Sequence, residues 1–366
     1  MDIPFVGTSA VAFIAVFSAL VFFHELGHFW VARRFGIRVD VFSIGFGPSL
    51  WSRKDRHGIE WRISAIPLGG YVKFYGDASG ASNQSDELRH MSEAERRDCF
   101  HFRPLYQRAA VVAAGPAANF LLALVIFTGM FMAVGQQFSP PVIDQVVEGS
   151  RAEKAGFKAG DRVVQVGSRE IESFEQLRNQ IILNADKPLD VTVRRGGETL
   201  VLQAIPATVV EQSSKMGRLG IVNEHPGLIK RGLADAVWYA GVEVRDNVFM
   251  ILHVVGEMIG GERSVKDLGG PLKIAEVSGS VAQSSLLGLL MLTAALSINL
   301  GLINLFPIPV LDGGHLLYYA FEAVRGRPLG ERVQEYGFRV GMALVLLLMV
   351  VVTWNDLIGM VSRIQS

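Results

Sequence analysis

Two histidines and a glutamate lie close together near the amino terminus, in the sequence His24-Glu25-Leu26-Gly27-His28. Residues four apart on a helix lie one turn above each other on the same face, so both imidazoles can bind one zinc ion. The glutamate between them can reach the hydrolytic water as a general base. We therefore predict that His24 and His28 are metal ligands and that Glu25 is a catalytic residue.

A catalytic zinc usually takes three protein ligands, so a third has to come from elsewhere in the chain. The sequence Leu-Asp-Gly-Gly-His at 311–315 offers Asp312, which is the predicted ligand, and His315, its competitor. Pro307 and Pro309 break the preceding helix and release backbone, which is tolerated at membrane depth only where protein or water surrounds it. The alternative interpretation of Asp312 is a plain helix-ending turn at the membrane surface.

The histidine pair continues a segment that is apolar enough to span a membrane. Residues 5–23 contain no charged side chain, and further uncharged runs cover 109–134, 284–310 and 340–353. A helix of about 20 apolar residues crosses the hydrocarbon core of a bilayer, so the sequence predicts four spans. A cleaved signal peptide is the alternative for the first run, but its flanking residues do not fit one.

The segment 236–261 is apolar in part but differs from the four runs. Its apolar residues recur with a period close to 3.6, and Glu243, Arg245, Asp246 and Glu257 interrupt it. This pattern predicts an amphipathic helix on the membrane surface or packed against the bundle.

The distribution of basic residues predicts the orientation. Lys and Arg are denser in the loop 33–108 than in the region 136–284. Short basic loops stay in the cytoplasm, so we place the first loop there and the larger middle region outside.

Composition excludes several classes of protein. The chain has 366 residues, of which 50% are apolar and 19% charged, and its 35 basic side chains balance 35 acidic ones. A net charge of zero argues against a nucleic-acid binder, which needs a basic surplus. Cys99 is the only cysteine, so a disulfide framework or a cysteine-built zinc finger is excluded.

These motifs resemble those of the site-2 family of intramembrane zinc metalloproteases, and within it the bacterial RseP type with a single PDZ domain. The resemblance rests on His-Glu-Leu-Gly-His at 24–28, Gly-Pro-Ala-Ala-Asn-Phe at 115–120, and Asn-x-x-Pro-x-Pro-x-Leu-Asp-Gly-Gly-His at 304–315. It covers nearly the whole chain. It implies a polytopic α-helical membrane protein with four transmembrane helices, a membrane-associated β element and one inserted α+β PDZ-like domain.

The resemblance and the hydropathy pattern together divide the chain into eight parts. They are the first transmembrane helix with His-Glu-Leu-Gly-His (1–35), a cytoplasmic loop with a β-hairpin element (36–104), the second transmembrane helix (105–136), the PDZ-like domain (138–226), an amphipathic helix with a linker (227–283), the third transmembrane helix with Leu-Asp-Gly-Gly-His (284–315), a cytoplasmic loop (316–339) and the fourth transmembrane helix (340–358).

By the same resemblance, His24, His28 and Asp312 match the ligands of one Zn²⁺ per chain, and Glu25 matches the residue that activates water. The residues implied to contact substrate are Asn119, Asn299, Asn304, Pro307 and Pro309, together with Gly69 and Gly70 of the β element. Without the family, the asparagines in the spans would be read as interhelical hydrogen bonders. Gly269-Gly270-Pro271 also looks like a family landmark, for which the sequence offers no physical explanation.

Two parts of the basic loop have a structural interpretation. Residues 50–63 contain a turn between segments of high strand propensity, and 67–74 follow as a further strand candidate. The resemblance implies a β element whose edge pairs with an extended substrate, and the alternative is a plain cytoplasmic hairpin. Residues 77–98 are polar and predict a mobile or loosely helical loop.

The middle region changes to short strands. Residues 143–147, 162–166, 189–194 and 200–205 are predicted strands, and 174–183 a helix. The pattern resembles a circularly permuted PDZ domain, with Arg218-Leu219-Gly220-Ile221 as its peptide-binding loop. Such a domain captures a peptide by adding a strand, and the alternative is a size filter or spacer whose groove binds nothing.

The function implied by the resemblance is intramembrane proteolysis. The expected substrates are transmembrane segments of single-span membrane proteins already shortened by another protease, for example an anti-sigma factor or signal-peptide remnants. The expected location is the bacterial inner membrane, with the active site near the cytoplasmic side, the PDZ-like domain on the periplasmic side and no nucleic-acid partner.

Two other functions compete with proteolysis. One is a membrane scaffold with a PDZ-like domain and a structural zinc site closed by a fourth ligand such as His315. The other is a transporter that uses Glu25 and Asp312 as proton-linked groups, although the sequence lacks the internal repeats of many transporters.

Overall fold

The computed structural model describes residues 3–77, 91–211, 214–224, 227–261 and 269–365. The chain divides into two compact units, one formed by Met1–Ile126 with Gly269–Ser366 and the other by Phe127–Leu268.

The helices and strands of the described residues fall into three parts of the chain. The amino-terminal part contains α1 (Ile3–Arg34), β1 (Val39–Lys54), β2 (Glu60–Phe74), α2 (Glu93–Asp98) and α3 (Leu105–Ala133). The middle part contains β3 (Gln136–Phe138), β4 (Gln145–Val146), α4 (Arg151–Lys154), β5 (Arg162–Val166), β6 (Arg169–Glu170), α5 (Phe174–Leu183), β7 (Leu189–Arg195), β8 (Glu198–Ala204), β9 (Ala207–Glu211), β10 (Ser214–Arg218), β11 (Ile221–Val222), β12 (Gly227–Ile229) and α6 (Leu233–Ile259). The last part contains α7 (Pro271–Ser284), α8 (Leu286–Asn304), α9 (Asp312–Arg325) and α10 (Glu331–Gln365).

Four helices of the described chain, α1, α3, α8 and α10, are long and apolar enough to cross a membrane. This confirms the predicted number of spans by length and composition. Helix α6 is not among them, because five charged residues interrupt its apolar sequence.

The β element is an antiparallel hairpin of β1 and β2, longer than the two segments the sequence indicated. Asp55 closes its turn, because one carboxylate oxygen accepts the N–H groups of His57 and Ile59. At the end of the hairpin that lies away from the turn, Phe42 and Val72 pack in a buried core with Ala32 of α1. The part of β1 closer to the turn, residues 46–54, is exposed. Of the predicted loop 77–98, residues 78–90 lie outside the described part of the chain, and Glu93–Asp98 form α2.

The third membrane-spanning helix ends earlier than the predicted boundary of 315. Helix α8 stops at Asn304, residues 305–311 are not helical, and Asp312 is the first residue of α9. The prolines at 307 and 309 explain the break, because neither can donate a backbone hydrogen bond. The predicted loop 316–339 contains the rest of α9, which ends at Gly326 with φ 69°, and the first turns of α10.

The Gly269-Gly270-Pro271 sequence lies where α10 meets the start of α7. The carboxylate of Asp356 on α10 accepts the backbone N–H groups of Gly270, Leu272 and Lys273 at 2.9 to 3.1 Å. A side chain at Gly270 would collide with that carboxylate, since a Cβ there would lie 2.6 Å from Asp356 Oδ2. The landmark is thus a helix amino terminus capped by another helix.

The second unit contains a four-stranded antiparallel sheet in the order β6-β5-β7-β8. Helix α5 has the predicted bounds, and β5 coincides with the predicted strand. Val163, Val191 and Val193 of the sheet pack on Leu177 and Ile181 of α5 in one buried core. The predicted strand 143–147 is shortened to β4, which pairs with β11. On either side of β4, Ile143 and Val147 donate their backbone N–H groups to the carbonyls of Asp161 and Gly220, which lie outside the strands.

Candidate metal centre

Three possible ligand atoms converge where α1 meets the start of α9. Nε2 of His24 lies 3.3 Å from Nε2 of His28, and Oδ2 of Asp312 lies 3.2 Å and 3.5 Å from the same two nitrogens. A tetrahedral zinc with bonds of about 2.05 Å has ligand atoms about 3.3 Å apart. The triangle therefore has the dimensions of one face of such a centre.

The hydrogen bonds around the triangle direct lone pairs inward. Nδ1 of His28 donates to the carbonyl oxygen of Val111 at 2.8 Å, so in the neutral ring Nε2 carries no hydrogen. Asp312 Oδ2 is buried and has no hydrogen-bond partner among the described residues. Converging acceptor atoms repel one another unless a cation lies between them. These residues fit a metal ion.

Asn119 of α3 is fully buried against the other side of His24. Its side-chain amide lies 3.1 Å from Nδ1 of His24. The backbone carbonyl of Asn119 accepts a hydrogen bond from Ser297 on α8, which fixes the residue between two helices. Asn119 therefore contacts a predicted ligand and is shielded from the open site.

Glycines allow the helices to approach this closely. A Cβ at Gly115 of α3 would overlap the ring of His28 and lie 2.9 Å from Cε1 of His24. A Cβ at Gly27 would overlap the backbone carbonyl of Ala114. The imidazoles thus lie in a cradle that any larger residue at 115 would fill. In the sequence, Gly115 is visible only as part of a motif. Val111 gives no signal there, because it contacts His28 through a backbone carbonyl, which every residue has.

The position of Asp312 depends on the two glycines that follow it, Gly313 and Gly314. A Cβ at Gly313 would overlap the carbonyl oxygens of Leu305 and Phe306, and one at Gly314 would overlap that of Ile308. The start of α9 therefore packs directly on the backbone of the broken segment 305–311.

Glu25 lies between the two histidines on α1 and is 9% exposed. A Cβ at Gly70 would lie 3.2 Å from Cγ of Glu25 and 2.7 Å from Val21. Strand β2 therefore passes directly over the predicted general base, and Gly70 permits the approach.

A cavity of about 1400 Å³ opens onto these residues. The predicted site residues in its wall are His24, Glu25, His28, Gly70, Asn304, Pro309, Asp312 and His315. Gly69, Asn299 and Pro307 do not line it. His315 lies in the wall, but its ring is not part of the close group formed by His24, His28 and Asp312 in the described chain.

The predicted peptide loop belongs to the second unit. Arg218 ends β10 and Ile221 starts β11, while Leu219 is buried in the core. The carbonyls of Leu219 and Gly220 accept hydrogen bonds from Ala152 and Val147. The loop is therefore held by its carbonyl side.

A family model described as peptidase family M50 matches residues 12–348. A protein of Agrobacterium fabrum assigned as a zinc metalloprotease, Atu1380, is 43% identical over 362 residues, covering 96% of each chain. Metalloprotease MmpA of Caulobacter vibrioides is 39% identical over 378 residues, covering 95% of this chain and 94% of the relative. Protease RseP of Yersinia pestis is 34% identical over 450 residues, covering 95% of this chain and 98% of the relative.

Proposed function

The chain belongs to peptidase family M50, and from this membership we propose that it is a zinc endopeptidase that cuts single-span membrane proteins within their transmembrane segments. The observation that carries the proposal is the convergence of His24, His28 and Asp312 beside Glu25, on helices with the apolar length of membrane spans. The chain accordingly works in the lipid bilayer of the inner membrane.

In this proposal His24, His28 and Asp312 hold one zinc ion per chain. A zinc ion held by these residues would supply Lewis acidity, which polarises a scissile carbonyl and makes water more acidic. For His24 to ligate through Nε2, its proton has to be on Nδ1, so the Asn119 amide must present its oxygen there. The oxygen and nitrogen of a side-chain amide are interchangeable by rotation, and Asn119 Oδ1 otherwise has no partner among the described residues.

Glu25 acts as the general base and then as the general acid. Its carboxylate takes a proton from the water whose oxygen bonds to the scissile carbonyl carbon. It returns that proton to the amide nitrogen as the carbon–nitrogen bond breaks, so the products are a carboxylic acid and an amine. Glu25 lies in the wall of the cavity that the substrate would enter.

A transmembrane helix is a poor substrate, because each of its peptide carbonyls is already hydrogen bonded. It has to be unwound before Glu25 can act on it. The passage of Gly70 over Glu25 favours a role for β2 in holding the extended substrate by strand addition. Asn304 and Pro309 would then face the same extended segment across the cavity. Gly69, Asn299 and Pro307 do not line the cavity, and their contact with substrate stays a prediction.

The sequence supports the orientation of the chain. The basic loop 33–108 places the active site near the cytoplasmic side. The PDZ-like domain at 138–226, with Arg218-Leu219-Gly220-Ile221 as its peptide loop, lies on the periplasmic side in this arrangement. It admits substrates that another protease has already shortened, by peptide capture or as a size filter.

The test uses the full chain, purified in detergent and reconstituted with a labelled single-span protein. Zinc is measured by mass spectrometry, and cleavage by gel, for the wild type, Glu25→Gln and a control, Glu198→Gln, at an exposed position outside the cavity. We expect about one zinc per chain in all three, and cleavage in all but Glu25→Gln. Cleavage by Glu25→Gln would refute the assigned mechanism, and a closed four-ligand zinc without cleavage by the wild type would favour the scaffold.

A further inference from the structure

Helix α3 offers no metal ligand, yet it touches both histidines. The carbonyl of Val111 accepts the hydrogen bond from His28, and the amide of Asn119 contacts His24. Each imidazole is therefore held by its own residue on α3. No hydrogen bond joins Asp312 itself to α3 in the described chain, and the start of α9 packs on the backbone of residues 305–311.

The position of α9, which carries Asp312, is not set by chain continuity. The non-helical residues 305–311 separate it from α8, and Gly326 ends it before α10. Val310, two residues before Asp312, has a φ of 153°, which a β-branched residue rarely adopts. A short helix between two breaks needs a lateral contact to hold it.

Leu316 and Tyr319 of α9 pack against the buried core that includes Val111 of α3. Arg108 and Glu322 add a charged contact of fixed geometry between α3 and α9. Nη2 of Arg108 lies 2.5 Å from Oε1 of Glu322, and Nη1 lies 3.2 Å from Oε2, so the pair is bidentate. Both side chains are 15% exposed. The guanidinium also lies over the ring of Tyr319 at 4.9 Å, and its Nε donates to the carbonyl of Arg103 at 3.0 Å. The Arg108 side chain is thus held in place beside α3 and forms an ion pair with α9.

We propose that the Arg108–Glu322 pair positions Asp312 for metal binding. Arg108 lies one turn before Val111 on α3, so a single turn holds both the ring of His28 and the helix that carries the third ligand. Glu322 is ten residues from Asp312, or about 15 Å along α9. A helix held at that distance transmits its orientation to its first residue. This inference rests on the proposed zinc site.

Replacing only Arg108 or only Glu322 cannot by itself distinguish a role in positioning Asp312 from a role in the stability of the fold. A lone buried charge destabilises a fold, whereas replacing both partners with apolar residues of similar volume is often neutral. If the pair is only structural, the double replacement restores both stability and zinc affinity. If it positions Asp312, stability recovers and zinc affinity does not.

The experiment compares Glu322→Gln, Arg108→Met and the double variant Arg108→Met/Glu322→Leu in the full chain. The probe is zinc alone, measured by competition with a chromophoric chelator. We expect Glu322→Gln and the double variant to lose about tenfold in zinc affinity, at the lower end of the effects of outer contacts. The double variant should unfold near the wild-type temperature.

The matched control is the Arg339–Glu335 pair, which has the same 2.5 Å contact but is exposed on α10. Replacing both of its members should leave zinc affinity unchanged. Wild-type affinity in a stable Arg108→Met/Glu322→Leu variant would overturn the proposal.

A second measurement does not depend on zinc. Hydrogen exchange of the backbone amides at 313–317 is followed in the metal-free wild type and double variant. We expect at least threefold faster exchange in the double variant, because the start of α9 loses its anchor. Equal exchange would overturn the positioning role even if the wild type bound no zinc, a result that would instead refute the proposed function.

Discussion

The imidazole of His28 donates from Nδ1 to the carbonyl of Val111 at 2.8 Å, across 83 positions of the sequence. This bond selects the tautomer whose free nitrogen, Nε2, faces His24 and Asp312. A backbone carbonyl in a helix accepts a hydrogen bond from its own helix, but its oxygen has a second lone pair. The close approach of α1 and α3 brings the His28 ring within reach of that oxygen, and the approach depends on Gly27 and Gly115.

Gly115→Ala should abolish zinc binding while leaving the helices formed. Its added methyl group would occupy the space of the His28 ring and force it away from Asp312. We expect zinc content to fall to less than about a tenth of the wild-type value, measured by mass spectrometry on purified protein.

Gly129→Ala is the matched control, because position 129 lies on the same helix α3 with open space around it. It should keep its zinc. Full zinc occupancy in Gly115→Ala would contradict the cradle.

Asn119→Ala should lower zinc affinity by about ten- to a hundredfold, since outer hydrogen bonds to ligating histidines have effects of that size. Asn299→Ala is the comparison, because Asn299 lies on a predicted span but does not line the cavity. It should bind zinc normally and affect only the cleavage of substrate. Zinc affinity is measured by chelator competition. Equal zinc affinity in both variants would contradict a role for Asn119 in orienting the His24 ring.

The predictable part of this site consists of residues whose chemistry is visible in their spacing. His24, Glu25 and His28 follow from helical periodicity, and Asp312 from a polar turn at the end of an apolar run. The contacts that orient them, Val111 with His28 and Arg108 with Glu322, depend on how helices approach, and neither periodicity nor composition encodes that approach.

The breaks in the fold were also only partly predictable. Pro307 and Pro309 indicate that a helix ends, but not that a new one begins at Asp312. Gly270 is conspicuous in the sequence, yet its purpose is apparent only beside Asp356, which lies 86 residues further on.

Asp356→Ala should loosen the contact between α7 and α10 without changing the metal site. Three backbone N–H groups would lose their acceptor, a loss of about 1 to 2 kcal/mol by analogy with helix caps. We expect a lower thermal unfolding temperature in detergent and unchanged zinc affinity.

Gly270→Ala should have a similar effect, because its methyl group would displace the Asp356 carboxylate. Gly359→Ala, on the same helix as Asp356 and with open space around it, serves as the control. An unchanged unfolding temperature in both Asp356→Ala and Gly270→Ala would show that the cap contributes nothing.

The second unit should lose stability in acid through Asp161. Burial by itself raises the pKa of this carboxyl, but hydrogen bonds from Arg195 and from the backbone of Lys158 outweigh burial and lower the pKa below its ordinary value. A carboxyl with a lowered folded-state pKa stabilises the fold above about pH 4 and loses that effect as pH falls through the folded pKa.

Asp161→Asn should therefore reduce hydrogen-exchange protection at Val163 and Val193 about tenfold at neutral pH. The variant should also lose less protection than the wild type on acidification. Parallel acid profiles of the two proteins would contradict the role of this ion pair.

The most direct test of the account is to locate the zinc itself by anomalous diffraction at the zinc edge, using crystals of the wild-type chain. We predict one peak per chain, about 2.0 to 2.2 Å from Nε2 of His24, Nε2 of His28 and a carboxylate oxygen of Asp312. A peak bound elsewhere, or one held by the two histidines with Asp312 turned away, would contradict it.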